Sequence, residues 1–261
     1  MDRSNIEKIA RTPEDRLLLA KLWDRISAGM RRNIMVSTCF LSPRAQEMAR
    51  YLFGDAPGLY AFGGYEDAER KLLCWLPDYL DADILTGADA PMCCLRAEFF
   101  EGDTPSHRDF LGALMGAGVA RETIGDICVG KGSCDFFTTV EVAPYLLQNL
   151  TSAGRTKLRL MQIPLYSARI PQPEIKQIRD TLPSLRLDCV ISAGFSVGRN
   201  LAVQYICAGK ALIDGLPCEK PDKLITEGSA ISVRGLGKIK LNQINGQTKK
   251  GRILVVIDRF M

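Results

Sequence analysis

Residues 186–215 read RLDCVISAGFSVGRNLAVQYICAGKALIDG. Two short helices are predicted here, over 185–193 and 196–208, joined at Gly194-Phe195 and with Ser196 capping the second. Gly209-Lys210 ends the second helix, and short strands follow at 211–213, 216–217, 230–233, 238–241 and 252–257. A pair of helices followed by a small twisted sheet makes one compact domain, placed at 181–261.

Toward the amino terminus the pattern becomes more regular. A strand over 92–100 precedes a helix that Ser106-His107-Arg108-Asp109 caps and that runs to Gly116. Strands at 124–129 and 135–140 flank the turn Gly130-Lys131-Gly132-Ser133; a helix over 142–150 and a strand over 157–163 complete the order β-α-β-β-α-β. That is the split βαβ, or ferredoxin-like, arrangement: a four-stranded antiparallel sheet backed by two helices. Its open sheet face is one that RNA-binding modules often use. Residues 89–180 are assigned to this central module.

The first 88 residues are read as a small α/β module. They hold a helix over 3–30 that restarts at Thr12-Pro13-Glu14-Asp15, a strand over 33–41, a helix opened by Ser42-Pro43 and strands over 58–65 and 71–76. The fold class is therefore α+β in three modules: N-terminal α/β, central ferredoxin-like βαββαβ and C-terminal helix pair plus sheet.

Composition limits the function. The chain has 261 residues, 46% hydrophobic and 25% charged, which excludes a disordered tail protein or a fibre. No stretch approaches the ~18 apolar residues of a membrane helix, and the first residues alternate in charge sign. A cytoplasmic protein without membrane attachment is expected. The nine cysteines form no Cys-x-x-Cys pair, and the single histidine, His107, has none at zinc-ligand spacing. Cys93 and Cys94 would face opposite sides of a strand, so they are read as small buried thiols, with no metal or cofactor. The acidic group Asp78, Asp81 and Asp83 is read as a capping loop.

Charge is uneven. Residues 181–261 carry 12 Lys+Arg and 6 Asp+Glu, and the stretch 234–252, RGLGKIKLNQINGQTKKGR, has six basic residues and no acid. A basic surface of this kind attracts polyphosphates without reading sequence. Arg186 and Arg199 lie near two helix starts, where guanidinium forks and backbone N–H groups favour phosphate. Asn200 and Gln204 share a helix face beside Arg199, Lys210 follows at the turn, and Arg234, Lys238 and Lys240 lie in the basic stretch. Arg186 has the alternative of an ion pair with Asp188 or Glu219.

This last domain resembles the S4 RNA-binding domain. The resemblance rests on Arg186-Leu187-Asp188, Ser196-x-x-Arg199, Ile206-Cys207-Ala208-Gly209-Lys210-Ala211-Leu212-Ile213-Asp214-Gly215 and Glu227-Gly228-x-Ala230-Ile231-Ser232-Val233. It implies RNA contacts at Arg186, Ser196, Arg199, Asn200, Gln204, Lys210, Ala211, Leu212, Asp214, Arg234, Lys238 and Lys240. Asp214 stands where the family usually has asparagine, placing a negative charge near the expected phosphate surface.

The rest of the chain is similar to the YlmH family. The matching segments are Phe40-Leu41-Ser42-Pro43-Arg44, Gly63-Gly64-Tyr65-Glu66-Asp67-Ala68-Glu69-Arg70-Lys71, Pro77-Asp78-Tyr79, His107-Arg108-Asp109-Phe110-Leu111-Gly112-Ala113-Leu114, Ile124-Gly125-Asp126-Ile127, Gly154-Arg155-Thr156 and Arg234-Gly235-Leu236-Gly237. The resemblance implies a ribosome-associated factor that binds rRNA or transfer RNA on the large subunit when translation stalls; the family also has links to cell division. Gly63, Gly64, Tyr65, Arg70 and Arg108 are candidates for a second contact, Tyr65 by stacking and the arginines through phosphate. Partners expected are RNA and the large ribosomal subunit, with no DNA. His107 has no recognisable nucleophile beside it, Gly112-x-x-x-Gly116-x-Gly118 does not open a helix after a strand, and no synthase or methyltransferase motif accompanies the domain. A non-catalytic factor is expected. The alternatives are an RNA-modifying enzyme with an unrecognised catalytic fold, or a protein-interaction adaptor.

Overall fold

The computed structural model describes residues 3–172 and 174–260. The chain forms two compact units, 1–171 and 172–261, where the sequence suggests three modules.

The amino-terminal unit begins with α1 (Ile6–Ile9) and α2 (Pro13–Arg32). The Thr12 hydroxyl accepts the Asp15 N–H at 3.1 Å, and Pro13, whose missing N–H costs nothing in the first turn, starts α2. β1 (Val36–Ser37) is only two residues of the strand expected over 33–41. Asn33 takes a left-handed conformation (φ 53°) to close α2, and the Phe40 N–H leaves the local sheet for the Glu122 carbonyl at 2.7 Å. α3 (Pro43–Phe53), capped by Ser42, packs Ala45, Met48 and Leu52 against Leu19, Leu22 and Ile26 of α2. β2 (Leu59–Phe62) and β3 (Leu72–Trp75) complete an antiparallel sheet in the order β1-β3-β2.

The same unit continues through β4 (Met92–Glu98), α4 (His107–Gly116), β5 (Ile124–Val129), β6 (Ser133–Thr139) and α5 (Ala143–Asn149). After these come a small hairpin, β7 (Ser152–Ala153) and β8 (Thr156–Lys157), and then β9 (Arg159–Ile163). The four long strands run antiparallel in the order β5-β6-β4-β9, the topology read from the sequence. Ser106 and Asp109 form a reciprocal capping box at α4. Leu95, Ala97, Cys134 and Phe136 face α4 and α5 through Phe110, Leu114 and Leu146.

The opposite face is not open. Met92, Cys94, Cys128 and Phe137 pack on Phe40, Leu72, Cys74 and Leu76, so the first 88 residues cover the sheet that was expected to be free for RNA. This shared core merges two of the expected modules. β4 and β6 are apolar on both faces, and a sheet buried on both sides needs two covering layers.

The second boundary also moves. β10 (Ile175–Leu182), most of which precedes the boundary expected at 181, pairs along its whole length with β15 (Ile253–Phe260). Between them lie α6 (Leu187–Phe195), α7 (Arg199–Cys207), β11 (Ala211–Ile213), β12 (Leu216–Pro217), β13 (Ala230–Val233) and β14 (Gly237–Gln247). The carboxy-terminal unit is thus an antiparallel sheet in the order β10-β15-β14-β13-β11-β12. Both helices pack on one face of it, through Leu187, Val190, Ile191, Ala202 and Ile206 against Ile231, Val233, Ile239, Leu241, Val255 and Ile257. Gly194 lets α6 approach closely: a Cβ there would lie 2.6 Å from Ile239 Cδ1. Among the described residues no helix is long and apolar enough to cross a membrane.

Candidate nucleic-acid interface

The turn between α6 and α7 positions the charged groups. Ser196 does not cap α7. It is the left-handed residue that ends α6 (φ 55°), while Gly198 stands at the start of α7 and no side chain caps that first turn. Arg199 is therefore the first helical residue of α7, and Arg186 is the residue that precedes α6.

Both arginines converge on one carboxylate. Asp188 is buried, its side chain 3% exposed. Arg186 donates to it from Nε (3.2 Å to Oδ1) and Nη2 (3.3 Å to Oδ2); Arg199 donates from Nε (2.9 Å to Oδ2) and approaches with Nη2 at 2.8 Å. Burial alone would raise the pKa of Asp188, but the hydrogen bonds from Arg186 and Arg199 outweigh it and hold the carboxyl below its usual range. The same bond raises the pKa of Arg199. One negative charge is set against two guanidiniums that remain 38% and 52% exposed, so the cluster is net positive. Each guanidinium has five N–H donors and spends only part of them on Asp188. The ion pair of Arg186 with Asp188, expected from the sequence as the alternative to RNA contact, is formed.

Asp188→Asn is expected to cost about 1–2 kcal/mol in chemical denaturation; that is the low side for charged hydrogen bonds because both arginines can rehydrate. A carboxyl with a lowered folded pKa stabilises the fold above its unfolded value near 3.9 and loses that contribution as pH falls through the folded value. The wild type should therefore approach the variant's stability in acid, whereas a constant gap across the pH range would show that Asp188 does not act as a charge.

The structure separates the other candidates. Asn200 and Gln204 are exposed on α7. Lys210 and Arg234 are exposed and joined by the Arg234 N–H to the Lys210 carbonyl at 2.9 Å; the Lys210 ammonium lies 5.2 Å from the Tyr205 ring centre. Ser196 and Arg199 line a groove of about 330 Å³ together with Arg252. Ala211 is fully buried in the core, so its side chain touches no ligand. Lys238, Lys240 and Leu212 alternate with core residues of β14 and β11 and so face away from the helices. Asp214 and Gly215, with φ of 49° and 81°, form the two-residue turn between β11 and β12, and the Asp214 carboxylate accepts the Ala230 N–H at 2.8 Å. The aspartate is explained by that turn.

Lys220 and Lys223 were not singled out from the sequence. The loop carrying them lies against the start of α6, where the Leu187 N–H donates to the Lys223 carbonyl and the Asp188 N–H to the Pro221 carbonyl. These bonds occupy N–H groups at the start of α6 that would otherwise be open to phosphate, and they bring the loop with its two exposed lysines against the start of α6. Asp222 in the same loop and Glu219 near Gly209 are the neighbouring acids.

The proposed second contact changes more. Arg70 donates to the carbonyls of Ile124, Phe40 and Arg121, and burial followed by the nearby Arg121 lowers its pKa to about 10. The Tyr65 hydroxyl donates to Asp126 at 2.8 Å, and its ring lies against Phe137; burial first, then Asp126, raises its pKa. Gly64 (φ 100°) leaves no room for a side chain, since a Cβ would meet the Phe137 ring at 2.3 Å, and Gly63 is confined against Ala68 and Arg70 in the same way. Tyr65, Arg70 and Gly64 fasten the first 88 residues to the central sheet, and Gly63 is confined within the turn that carries them. Arg108 is exposed at the start of α4. The β7–β8 hairpin turns beside it, with Gly154 facing Asp109, and carries the exposed Arg155 and Lys157.

Cys93 and Cys94 do face opposite sides of β4. Burial raises the Cys93 thiol to about 11 and those of Cys74 and Cys128 to about 12, so they stay protonated near neutral pH. Among the described residues no group of three or more His, Cys, Asp or Glu side chains is placed to hold a metal ion.

Three similarities bear on this arrangement. Residues 101–167 match the family model described as "Putative RNA-binding domain in YlmH". Over 239 residues, covering 91% of both chains, the sequence is 31% identical to "Ribosome-associated protein quality control protein P2" of Bacillus subtilis (strain 168). The solved structure of "Cell division protein ylmH from Streptococcus pneumoniae" is similar in fold, with a TM-score of 0.51 at 18% identity over 62% of this chain and 98% of that one. By its identity to the Bacillus protein across nearly the whole length, the chain belongs to the YlmH family.

Proposed function

We propose that this protein is a non-catalytic RNA-binding factor of the ribosome, holding rRNA or transfer RNA on the large subunit when translation stalls. The observation that carries this reading is the pair of arginines oriented by the buried Asp188 at the junction of α6 and α7. The carboxy-terminal unit acts as an S4-type module. Arg186, Arg199, Lys220 and Lys223 grip phosphates around the start of α6, and Lys210 and Arg234 extend the surface from the turn after α7. Planar guanidiniums held in place lose little freedom on meeting phosphate oxygens, while the lysines add charge that reads no sequence. The name of the Bacillus relative supports the ribosomal setting. The region matched by the RNA-binding family model supplies a second contact through Arg108, Arg155 and Lys157.

The experiment is equilibrium binding of the full chain to transfer RNA and to structured rRNA fragments, followed by mass analysis of the recovered nucleosides after incubation with a methyl donor. Salt-sensitive binding with unaltered nucleosides is expected. A modified nucleoside would make the protein an enzyme and overturn the non-catalytic reading.

A further inference from the structure

The basic stretch at 234–252 does not belong to the helix-side interface as a whole. Arg234 lies beside Lys210, but Lys238 and Lys240 point to the other side of the sheet, and Lys249 and Lys250 are exposed at the tip of the β14–β15 hairpin. On that side the strand register aligns Leu212, Ser232, Lys238 and Phe260 in one row and Ala230, Lys240, Asp258 and Gln177 in the next. A third row holds Gln243, Val256 and Arg179. Neither helix of the unit covers this face.

We propose that this helix-free face is a second RNA-binding surface, which takes a single-stranded RNA segment while the helix side holds structured RNA. It rests on the RNA-binding reading above and adds a separate site to it. The argument is one of charge and of hydrogen-bonding chemistry. A groove of about 670 Å³ runs along the face, lined by Gln177, Arg179, Gln243 and Asn245 over a floor that includes Leu254 and Val256. Side-chain amides offer a donor and an acceptor together, which suits the exposed edges of unpaired bases, and the apolar floor suits their faces. Lys240 and Arg179 supply cationic flanks for the backbone, and the Lys238 ammonium sits 5.4 Å from the Phe260 ring centre. The acids nearby are Asp258, which accepts from Asn242 at 2.7 Å and lies 3.5 Å from Gln177, Asp180 on the groove edge, and Glu227, which accepts the Ile244 N–H at 2.8 Å between Gln243 and Asn245. Lys238, Lys240 and Arg179, together with the exposed Lys249 and Lys250 at the hairpin tip, outnumber these three acids, as a polyanion requires.

The test compares two full-length variants, Arg179→Ala/Lys240→Ala on the sheet face and Arg199→Ala/Lys210→Ala on the helix side. Each is titrated with a fluorescent oligouridylate and with a structured rRNA hairpin, after circular dichroism has shown the wild-type fold. The sheet-face variant is expected to lose about tenfold in oligouridylate affinity, with a flatter salt dependence, and to keep its hairpin affinity. Oligouridylate binding that survives in the sheet-face variant but falls in the helix-side variant would overturn the second site and leave the proposed function standing. A wild type that binds neither RNA would overturn both. Binding of an acidic peptide to the face, with oligouridylate affinity unchanged by the sheet-face substitutions, would make it a protein surface instead.

Discussion

Replacing Arg186 and Arg199 together by alanine is expected to lower affinity for structured RNA about a hundredfold, from about 1.5 kcal/mol for each charge-assisted hydrogen bond lost. The dependence of log affinity on log salt should flatten by about 2, one for each phosphate contact. The double substitution on its own would strand Asp188, a buried carboxylate that both arginines neutralise, and would mix a folding defect with a binding defect. The comparison therefore belongs in the Asp188→Asn background, where the acid is already neutral. Equal affinities and equal salt slopes with and without the arginines would place the RNA surface elsewhere.

Phe137→Ala is the corresponding test of the fold. Phe137 is fully buried on the face of the central sheet that the first 88 residues cover, between the Tyr65 ring and Gly64 on one side and Gly125 and Phe40 on the other. Truncating a buried phenylalanine costs about 3–5 kcal/mol. Both tryptophans, Trp23 and Trp75, lie far from the substitution in sequence and in the part of the chain read as a separate module. If residues 1–171 fold as one unit, the tryptophan fluorescence transition in denaturant should move to a markedly lower midpoint. An unmoved transition would show that the first 88 residues are stable alone, contrary to the shared core.

The sequence is most readable where the determinants are local. Thr12, Ser42 and Ser106 each sit beside the helix they cap, with a proline next to the first two, and the βαββαβ order follows from turns and apolar runs whose signals lie within a few residues. β10 escapes that reading because its core-facing residues, Ile178 and Leu182, are four apart and the residues between them are polar or charged. Its partner lies some eighty residues further on. Ser196 has the chemistry of a cap but the backbone of a left-handed helix terminator, a choice made by how α6 and α7 meet. Tyr65 and Arg70 have the composition of an RNA contact, yet Asp126 and the carbonyls of Phe40, Arg121 and Ile124 hold them inward.

The binding site shows the same division. Arg186, Arg199 and Lys210 stand out as basic residues at helix ends, so the sequence identifies them without the fold. That Asp188 unites the two arginines depends on the packing of α6 against α7. That Lys238 and Lys240 leave the helix side follows from strand alternation, once Ile239 and Leu241 are known to face the core. The cover over the central sheet had a signal in the chain. Cys93-Cys94-Leu95 and Cys134-Asp135-Phe136-Phe137 place apolar side chains on both faces of their strands, as in sheets with a layer on each side.

On the function proposed, the protein works on the ribosome through RNA phosphates. That function is tested most directly by sedimenting the full chain from cell extract at several salt concentrations and sequencing the RNA recovered with it. Recovery with large subunits and transfer RNA at low salt, falling steeply as salt rises, is expected, with much weaker recovery for the Arg199→Ala variant. Migration free of ribosomes at low salt, with no RNA enriched, would contradict the proposed function.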